Sequence, residues 1–413
     1  MIRHNSIILR ILPAAAILAV VLSLWCSPAV HAQGAPLSSA PQETCEDGLQ
    51  ASGAAYRICM PAVWNGDLMI YAHGYVSPTR PVGIPEDQLD LPGVGRIDTI
   101  ITNQGYAFAT TGYSVNGLAV VPAQADLIDL VNIFEQKKGR ADKVLLAGVS
   151  EGGLIAALLA ERTPSVFDGV LALCGPYGNF AGQVHYIGDF RVLFDYYFPN
   201  LMPPTPVDIP DDLLATWETE TYSTTIKPII DDPANSATVS ELLKVGGVAY
   251  SPTDPATRER SVERMLWYNV YATDDAAAKL GGQPFNNQNP LRVYTGSSDD
   301  MALNAAVARF EAAPEALLNM ATQYQTSGRI KIPVVTLHTT LDPVVPIWHQ
   351  TEYTAQVQAA GASSLYASYQ EASYGHCAFN PLQVLSAFNK LVVMVDQVIK
   401  PQLYLPAISP GTP

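Results

Sequence analysis

The chain has 413 residues, 48% hydrophobic and 15% charged, which is enough for a large buried core in one domain or in a domain with an insertion. Its formal net charge of −15 disfavours a basic nucleic-acid groove and also disfavours binding to an anionic membrane surface. The same charge suits a soluble protein and carries no information about the fold.

Residues 1–32 have the pattern of a cleavable secretory signal peptide. Two arginines give a positive start, Ile11–Trp25 is apolar, and Val30-His31-Ala32 is a small-x-small cleavage site. The apolar run is short for a transmembrane anchor, so we expect export and no stable membrane anchor. Removal of this segment leaves a flexible leader over residues 33–44 and a net charge of −17, from 21 basic and 38 acidic side chains.

Four cysteines remain in the mature chain, and an even number in an exported protein indicates disulfides. Four cysteines allow three pairings. Close spacing favours Cys45 with Cys59, which leaves Cys174 with Cys377. The alternative is that these are buried free thiols.

Apolar runs and helical patterns alternate over residues 45–176, the first part of the predicted core. The predicted strands are Tyr56–Met60, Asp67–Ala72, Gly105–Thr111, Val144–Ala147 and Val170–Cys174. The predicted helices are Arg96–Gln104, Ala123–Lys138 and Leu154–Glu161. This alternation predicts an α/β fold with a mostly parallel sheet flanked by helices.

Residues 177–329 lack a clear strand pattern and are rich in Tyr, Trp, Pro and Asp. Helical patterns recur there, for example at Glu259–Tyr271 and Ala302–Tyr324. The segment is too long for a loop, so we predict a mainly helical cap. The α/β pattern resumes over residues 330–400, followed by a proline-rich tail at 401–413. The elements predicted there are Val334–His338, Trp348–Ala360, Ser364–Tyr369 and Pro381–Ile399.

Gly148-Val149-Ser150-Glu151-Gly152 lies between a predicted strand and a predicted helix, which is the sequence form of a nucleophile elbow. A serine at the tip of so tight a turn is strained, and its neighbours pass close to other backbone, so glycine is needed at 148 and 152. Ser150 then lies at a helix N-terminus, which favours developing negative charge. The alternative is a glycine-rich turn with an incidental serine.

Asp342 and His376 are the expected partners of this serine. Asp342 follows a buried strand, at the edge where open α/β sheets carry their sites, although an aspartate that caps a turn before proline is the alternative. His376 follows Gly375 in the loop after the next strand. The four other mature histidines fit the role less well, because their patterns place them in a loop, the cap, a strand and a helix: His73, His185, His338 and His349.

These side-chain types suit acyl transfer. An imidazole can take the proton of a serine hydroxyl and return it to a leaving group, and a carboxylate fixes the imidazole tautomer. The tetrahedral oxyanion needs two donors, and we expect the backbone N–H of Glu151 and that of Tyr75, which follows Gly74. We expect the Glu151 carboxylate to point away from this hole, since an anion there would oppose catalysis.

The order His73-Gly74, Gly148-x-Ser150-x-Gly152-Gly153, Asp342 and Gly375-His376 resembles the α/β-hydrolase superfamily, in which the triad runs Ser, Asp, His. The resemblance covers roughly Tyr56–Ile399. It implies an eight-stranded, mostly parallel sheet, acyl-enzyme chemistry, and no cofactor or metal. In this chain we expect the large helical cap to be inserted after the sixth strand.

The His376-Cys377 pair is similar to the tannase and feruloyl esterase branch of that superfamily. In that branch a cysteine directly before the serine pairs with a cysteine directly after the histidine. Val149 stands before the serine here, so that bridge cannot form and Cys174 becomes the candidate partner. The phrases Asp342-Pro-Val-Val-Pro346 and Gly375-His376 are also similar to prolyl-aminopeptidase-like enzymes.

The sequence therefore predicts a secreted or periplasmic serine hydrolase that cleaves discrete small-molecule esters with an apolar or aromatic group, and binds no nucleic acid. One alternative is a serine peptidase, which needs an acid to hold a free amino terminus, and the candidates are Asp189, Asp195 and Glu218. The other alternative is a non-catalytic binding protein on a hydrolase fold.

Overall fold

The computed structural model describes residues 44–91 and 95–403. The predicted signal peptide, residues 33–43 of the predicted leader and the predicted tail beyond Leu403 lie outside these ranges. Across the two ranges, no helix combines the length and the apolar character that crossing a membrane requires.

The core of the fold is an eight-stranded sheet in the spatial order β1-β2-β6-β3-β7-β8-β9-β10. Its strands are β1 (Thr44–Leu49), β2 (Ala55–Met60), β3 (Asp67–Ala72), β6 (Ala107–Thr111), β7 (Lys143–Val149), β8 (Gly169–Leu173), β9 (Val334–Leu341) and β10 (Tyr366–Tyr374). The strands β4 (Asp90–Leu91) and β5 (Gly95–Arg96) form a separate two-stranded pair. In the main sheet, β2 is antiparallel to β1 and to β6, and all the other pairings are parallel, which confirms the predicted sheet.

Helices cover both faces of this sheet. They are α1 (Ile97–Thr102), α2 (Val120–Lys138), α3 (Glu151–Arg162), α11 (Trp348–Ala359) and α12 (Pro381–Leu403). Successive strand residues point to opposite faces, so Leu146 of β7 packs in one core with α2, α3 and α11. Leu145 packs in the other core with α1 and α12. Burial on both faces explains why the central strands are continuous apolar runs.

The segment between β8 and β9 is helical and follows the sixth strand of the main sheet, as predicted. We call residues 177–329 the helical insertion. Its elements are α4 (Phe180–Tyr197), α5 (Asp211–Thr216), a π-helical segment (Trp217–Ile226), α6 (Lys227–Ile230), α7 (Ser236–Gly246), α8 (Ala256–Leu280), α9 (Asp300–Ala306), α10 (Pro314–Asn319) and a second π-helical segment (Met320–Tyr324). It has a hydrophobic core of its own around Phe190, Trp217 and Leu266.

Two local expectations differ from the structure. The pattern at Ala302–Tyr324 is not one helix, because α9 ends at Ala306 and Pro314, which cannot donate a backbone hydrogen bond, begins α10. The strand β1 was not predicted from its polar sequence. It is held by pairing with β2 and by the Cys45–Cys59 disulfide.

The second disulfide joins Cys174, directly after β8, to Cys377, directly after His376. The two bridges are therefore the pairing that the spacing favoured. The first bridge joins residues 14 positions apart at the edge of the sheet. The second joins residues 203 positions apart and links the first part of the predicted core to the second part beside His376.

Candidate active site

Ser150 occupies a sharp turn between β7 and α3. Its φ of 58° and ψ of −121° lie in a region that side-chain-bearing residues rarely adopt. A Cβ at Gly148 would overlap the carbonyl oxygen of Gly152, and a Cβ at Gly152 would overlap that of Ala72. The Ser150 N–H donates to the Leu173 carbonyl at 2.9 Å. The strained turn is thus held from β8, and both glycines are required by close backbone approach.

The three predicted side chains meet at the carboxyl edge of the sheet. Ser150 Oγ lies 2.7 Å from His376 Nε2, and His376 Nδ1 lies 2.8 Å from Asp342 Oδ2. The other oxygen of Asp342 accepts the backbone N–H groups of Val344 and Val345 at 2.9 and 3.0 Å. Because a carboxylate only accepts, Nδ1 carries the ring proton, and Nε2 is left to accept the serine proton.

The loop that carries His376 is fixed on both sides. The Gly375 N–H donates to the Leu341 carbonyl at 3.1 Å, and the Thr339 hydroxyl donates to the Gly375 carbonyl at 2.8 Å. On the other side, Cys377 is bonded to Cys174. The imidazole therefore stands on a loop whose two flanks are tied to β8 and β9.

Of the histidines in the described ranges, His376 is the one whose ring nitrogen bonds to Ser150. His338 lies within β9 and contacts the Val345 carbonyl at 2.8 Å, and His349 lies in α11 and contacts Gln183 at 2.8 Å. Burial lowers the pKa of both, so they are neutral members of the core. The environments expected for these two histidines are the ones found.

The loop after β3 approaches Ser150 closely, because a Cβ at Gly74 would lie 3.2 Å from the Ser150 Cβ. His73 is buried in this loop, where its Nδ1–H donates to the Gly74 carbonyl at 2.7 Å and burial lowers its pKa to about 4. Tyr75 and Glu151 both line the cavity at Ser150. Glu151 is the first residue of α3, so its N–H has no acceptor within the helix.

Gln88 holds this loop in place and was missed by the sequence analysis. Its Oε1 accepts the Gly74 N–H at 2.8 Å, and its Nε2 donates to the Tyr75 carbonyl at 3.1 Å. Both ends of one amide therefore bond to the backbone that carries the predicted donor. Nothing in the irregular sequence at 77–95 distinguishes this glutamine from a surface residue.

Among solved structures, an esterase from Aspergillus oryzae matches 86% of this chain and 80% of its own length, with 14% identity and a TM-score of 0.51. The chain has the α/β-hydrolase fold. Feruloyl esterase B from Aspergillus oryzae matches 86% of the chain and 80% of its own, at 13% identity and a TM-score of 0.48. The rice cell wall degrading esterase LipA from Xanthomonas oryzae matches 87% and 90%, at 14% identity and 0.42. No family model and no curated protein matches the chain.

In this α/β-hydrolase fold, Glu151 stands directly after the serine and is only 7% exposed. One carboxyl oxygen accepts the Ala119 N–H at 2.9 Å, and the other has no hydrogen-bond partner. Burial raises the pKa of Glu151 to about 8. A pKa in this range favours the uncharged form at neutral pH, and the direction of the carboxyl relative to the expected oxyanion hole stays a prediction.

Two cavities meet at the Ser150–His376 pair. The first, which we call the apolar chamber, has a volume of about 120 Å³. Ser150 lines it, together with side chains of α3, α4, α8 and the loop before α9, including Leu154, Val184, Ile187, Ala276 and Phe285. These apolar walls suit a hydrocarbon or aromatic group.

The second cavity, which we call the outer groove, is lined by His376 and by polar side chains of α8 and of the loop after β3. Tyr75, Tyr268 and Val344 line both cavities and so form the partition between them. Burial raises the pKa of the Tyr268 phenol, and Tyr268 lines the apolar chamber together with Ser150. Sequence analysis did not distinguish Tyr268 from the other aromatic residues of the helical insertion.

The three acids proposed to hold a free amino terminus have other partners. Asp189 accepts from Tyr294 at 2.7 Å and pairs with Arg292 at 2.8 Å. Asp195 pairs with the buried Arg191 at 3.0 Å. Glu218 accepts from the Trp267 indole at 3.0 Å and is the one of the three that lines the outer groove. Within the described ranges, no cluster of three or more His, Cys, Asp or Glu side chains could hold a metal ion.

Proposed function

We propose that this protein is an exported serine hydrolase that cleaves carboxylic esters through an acyl-enzyme intermediate. The observation that carries the proposal is the continuous hydrogen-bond chain from Ser150 Oγ through the His376 ring to Asp342. A hydroxyl, an imidazole and a carboxylate linked in this order are the parts of a serine nucleophile with its base.

In the proposed reaction, Ser150 Oγ attacks the ester carbonyl carbon while His376 Nε2 takes the hydroxyl proton. The carbonyl oxygen becomes an oxyanion that accepts the N–H groups of Tyr75 and Glu151, and one such donor is worth about 3 kcal/mol of barrier. His376 then gives its proton to the departing alcohol oxygen, which leaves Ser150 acylated. Water then attacks the acyl carbonyl carbon while His376 Nε2 takes its proton. The bond to Ser150 Oγ breaks, His376 returns the proton to Ser150, and the carboxylic acid leaves. In both steps Asp342 stabilises the imidazolium.

Apolar or aromatic esters are the proposed substrates. The apolar chamber opens directly at Ser150, and burial of a hydrocarbon group there stabilises the complex by about 25 cal/mol per Å² of apolar surface. The occurrence of the same fold in solved esterases supports a hydrolase. The peptidase alternative is weakened because Asp189 and Asp195 are already paired with arginines.

Export is part of the proposal. The signal-peptide pattern at residues 1–32 and the two disulfides support it together, since disulfides persist mainly in oxidising compartments. Release of the mature chain into the medium or periplasm, followed by N-terminal sequencing, tests this point. A protein retained in the cytoplasm with free thiols would refute it.

A fluorophosphonate probe on the purified mature protein tests the nucleophile. We expect labelling of the wild type and none of Ser150→Ala, and an unlabelled wild type would favour a non-catalytic binding protein. A panel of p-nitrophenyl esters of increasing acyl length, measured beside amino-acid anilides, separates esterase from peptidase. Faster hydrolysis of the anilides would reject the ester proposal.

A further inference from the structure

Ser150 and His376, which are hydrogen-bonded to each other, line different cavities. In acyl transfer the departing oxygen receives its proton from the imidazole, so the leaving group must extend on the histidine side. His376 lines the outer groove, whereas Ser150 lines the apolar chamber. If the proposed function holds, the acyl group occupies the apolar chamber and the alcohol occupies the outer groove.

Charged and aromatic side chains line the outer groove, and the opposite charges are balanced. The guanidinium groups are those of Arg80, Arg260 and Arg264, and the carboxylates are those of Asp87, Glu218 and Glu263. Ion pairs join Arg80 with Asp87 at 2.9 Å and Arg264 with Glu263 at 3.4 Å, and Arg260 pairs with Asp254, which does not line the groove, at 2.6 Å. The groove therefore presents donors and acceptors side by side, with no excess of either charge.

Aromatic rings stand among these charges. Trp267 donates its indole N–H to Glu218, and Arg260 lies over the Tyr374 ring at 5.7 Å from its centroid. Tyr268 and Tyr374 line the same groove near His376. Flat apolar faces thus alternate with fixed hydrogen-bonding groups along the space that the leaving group would occupy.

This arrangement selects one class of alcohol. An alkyl alcohol would desolvate the charged groups without replacing their hydrogen bonds. An anionic alcohol would require an excess of cations. A hydroxyl both donates and accepts, so a molecule with several hydroxyls can bond to guanidinium and carboxylate groups together while its C–H face lies on a ring. We propose that the substrate is an ester of an apolar acyl group with a neutral polyhydroxy alcohol, a sugar or a smaller polyol.

The test compares octanoate esters that differ only in the alcohol: octanoyl-glucose, octanoyl-glycerol and methyl octanoate, with acid release followed by titration. We expect kcat/KM for at least one polyhydroxy ester to exceed that for methyl octanoate by about tenfold or more, the worth of one hydrogen bond to a charged group. A preference for the glucose ester assigns a sugar, and a preference for the glycerol ester assigns a smaller polyol.

A groove variant links this preference to the proposed residues. We expect Glu263→Gln/Arg264→Gln to lower the ratio of polyhydroxy to methyl ester kcat/KM by about fivefold or more. Arg258→Gln is the matched control. Arg258 lies on the same helix, donates to Ser236 and Ser240, and does not line the groove, so the ratio should not change.

The outcomes separate the two proposals. Methyl octanoate cleaved as fast as both polyhydroxy esters would overturn the present inference and leave the esterase proposal standing. Absence of cleavage of all three esters, with no fluorophosphonate labelling, would overturn both. If the double variant does not fold, the wild-type ratio still decides, because it requires no substitution.

Discussion

Replacement of Glu151 by glutamine tests whether the group beside the nucleophile is neutral. The carboxyl is 7% exposed, one of its oxygens accepts the Ala119 N–H, and the other has no partner. The pKa of Glu151 rises from 4.5 to about 8 because burial disfavours the charged form. Glutamine has nearly the same shape and can still accept from Ala119, but it cannot ionise.

The magnitude follows from proton linkage. Between pH 4.5 and about 8 the folded state holds a proton on Glu151 that the unfolded state releases. The free energy of unfolding therefore falls as pH rises through this interval, by roughly 5 kcal/mol in all, and is constant again above it. Below pH 4.5 both states are protonated, and the wild type and Glu151→Gln should have similar stability.

Urea denaturation of the two proteins at pH 5 and pH 9 measures this effect. All other titrating groups are shared, so the difference in free energy of unfolding isolates residue 151. We expect Glu151→Gln to gain about 4 kcal/mol relative to the wild type between the two pH values. A difference that stays constant within about 1 kcal/mol would refute the reasoning and show that Glu151 is already ionised at pH 5.

Activity should respond to the same proton. Above pH 8 the wild type acquires an anion beside the oxyanion, so its kcat should fall while that of Glu151→Gln should not. An equal alkaline loss of kcat in both proteins would contradict the role of Glu151.

Three further predictions concern the groups that hold the site. Gln88→Ala should lower kcat on a p-nitrophenyl ester about tenfold or more with little change in KM, because two hydrogen bonds to the loop after β3 are lost. An unchanged kcat would show that Gln88 does not position this loop for the reaction. Asp342→Asn should lower kcat by roughly 10⁴-fold, the loss described for a Ser-His-Asp protease, and slow fluorophosphonate labelling; labelling at the wild-type rate would exclude Asp342. Cys174→Ala/Cys377→Ala should lower the free energy of unfolding in urea by about 5 kcal/mol in the chain-entropy model, because the bridge spans 203 residues; an unchanged midpoint would mean the bridge does not form.

The sheet and the meeting of three side chains could be predicted because strand ends carry positional information. Ser150 and Asp342 each follow an apolar run, His376 follows the last predicted strand, and the carboxyl ends of neighbouring parallel strands lie at one edge. The glycines at 148 and 152 added a local steric signal, which the overlap of a Cβ at either position now explains. These features depend on short stretches of sequence, so they can be predicted from a single sequence.

The remaining features depend on tertiary neighbours. Gln88 lies in an irregular segment, and its bonds to Gly74 and Tyr75 have no counterpart in local pattern. The raised pKa of Glu151 follows from its burial, which no local spacing reveals. The strand β1 is polar because it is an edge strand with exposed faces, so its sequence lacks the apolar alternation by which strands are recognised.

The helix α8 lines both cavities but carries none of the Ser150, His376 and Asp342 side chains. On α8, residues 260, 263, 264 and 267 line the outer groove, whereas 269, 272, 273 and 276 line the apolar chamber. The two sets follow helical spacing and lie on adjoining faces, with Tyr268 on the boundary. Asp275 anchors this helix by accepting the Leu118 N–H at 2.6 Å, and its ion-pair partner on the same helix, Lys279, donates to the Asn116 carbonyl. Substitutions along α8 therefore change the lining of both cavities, while the bonds that join Ser150, His376 and Asp342 stay in place.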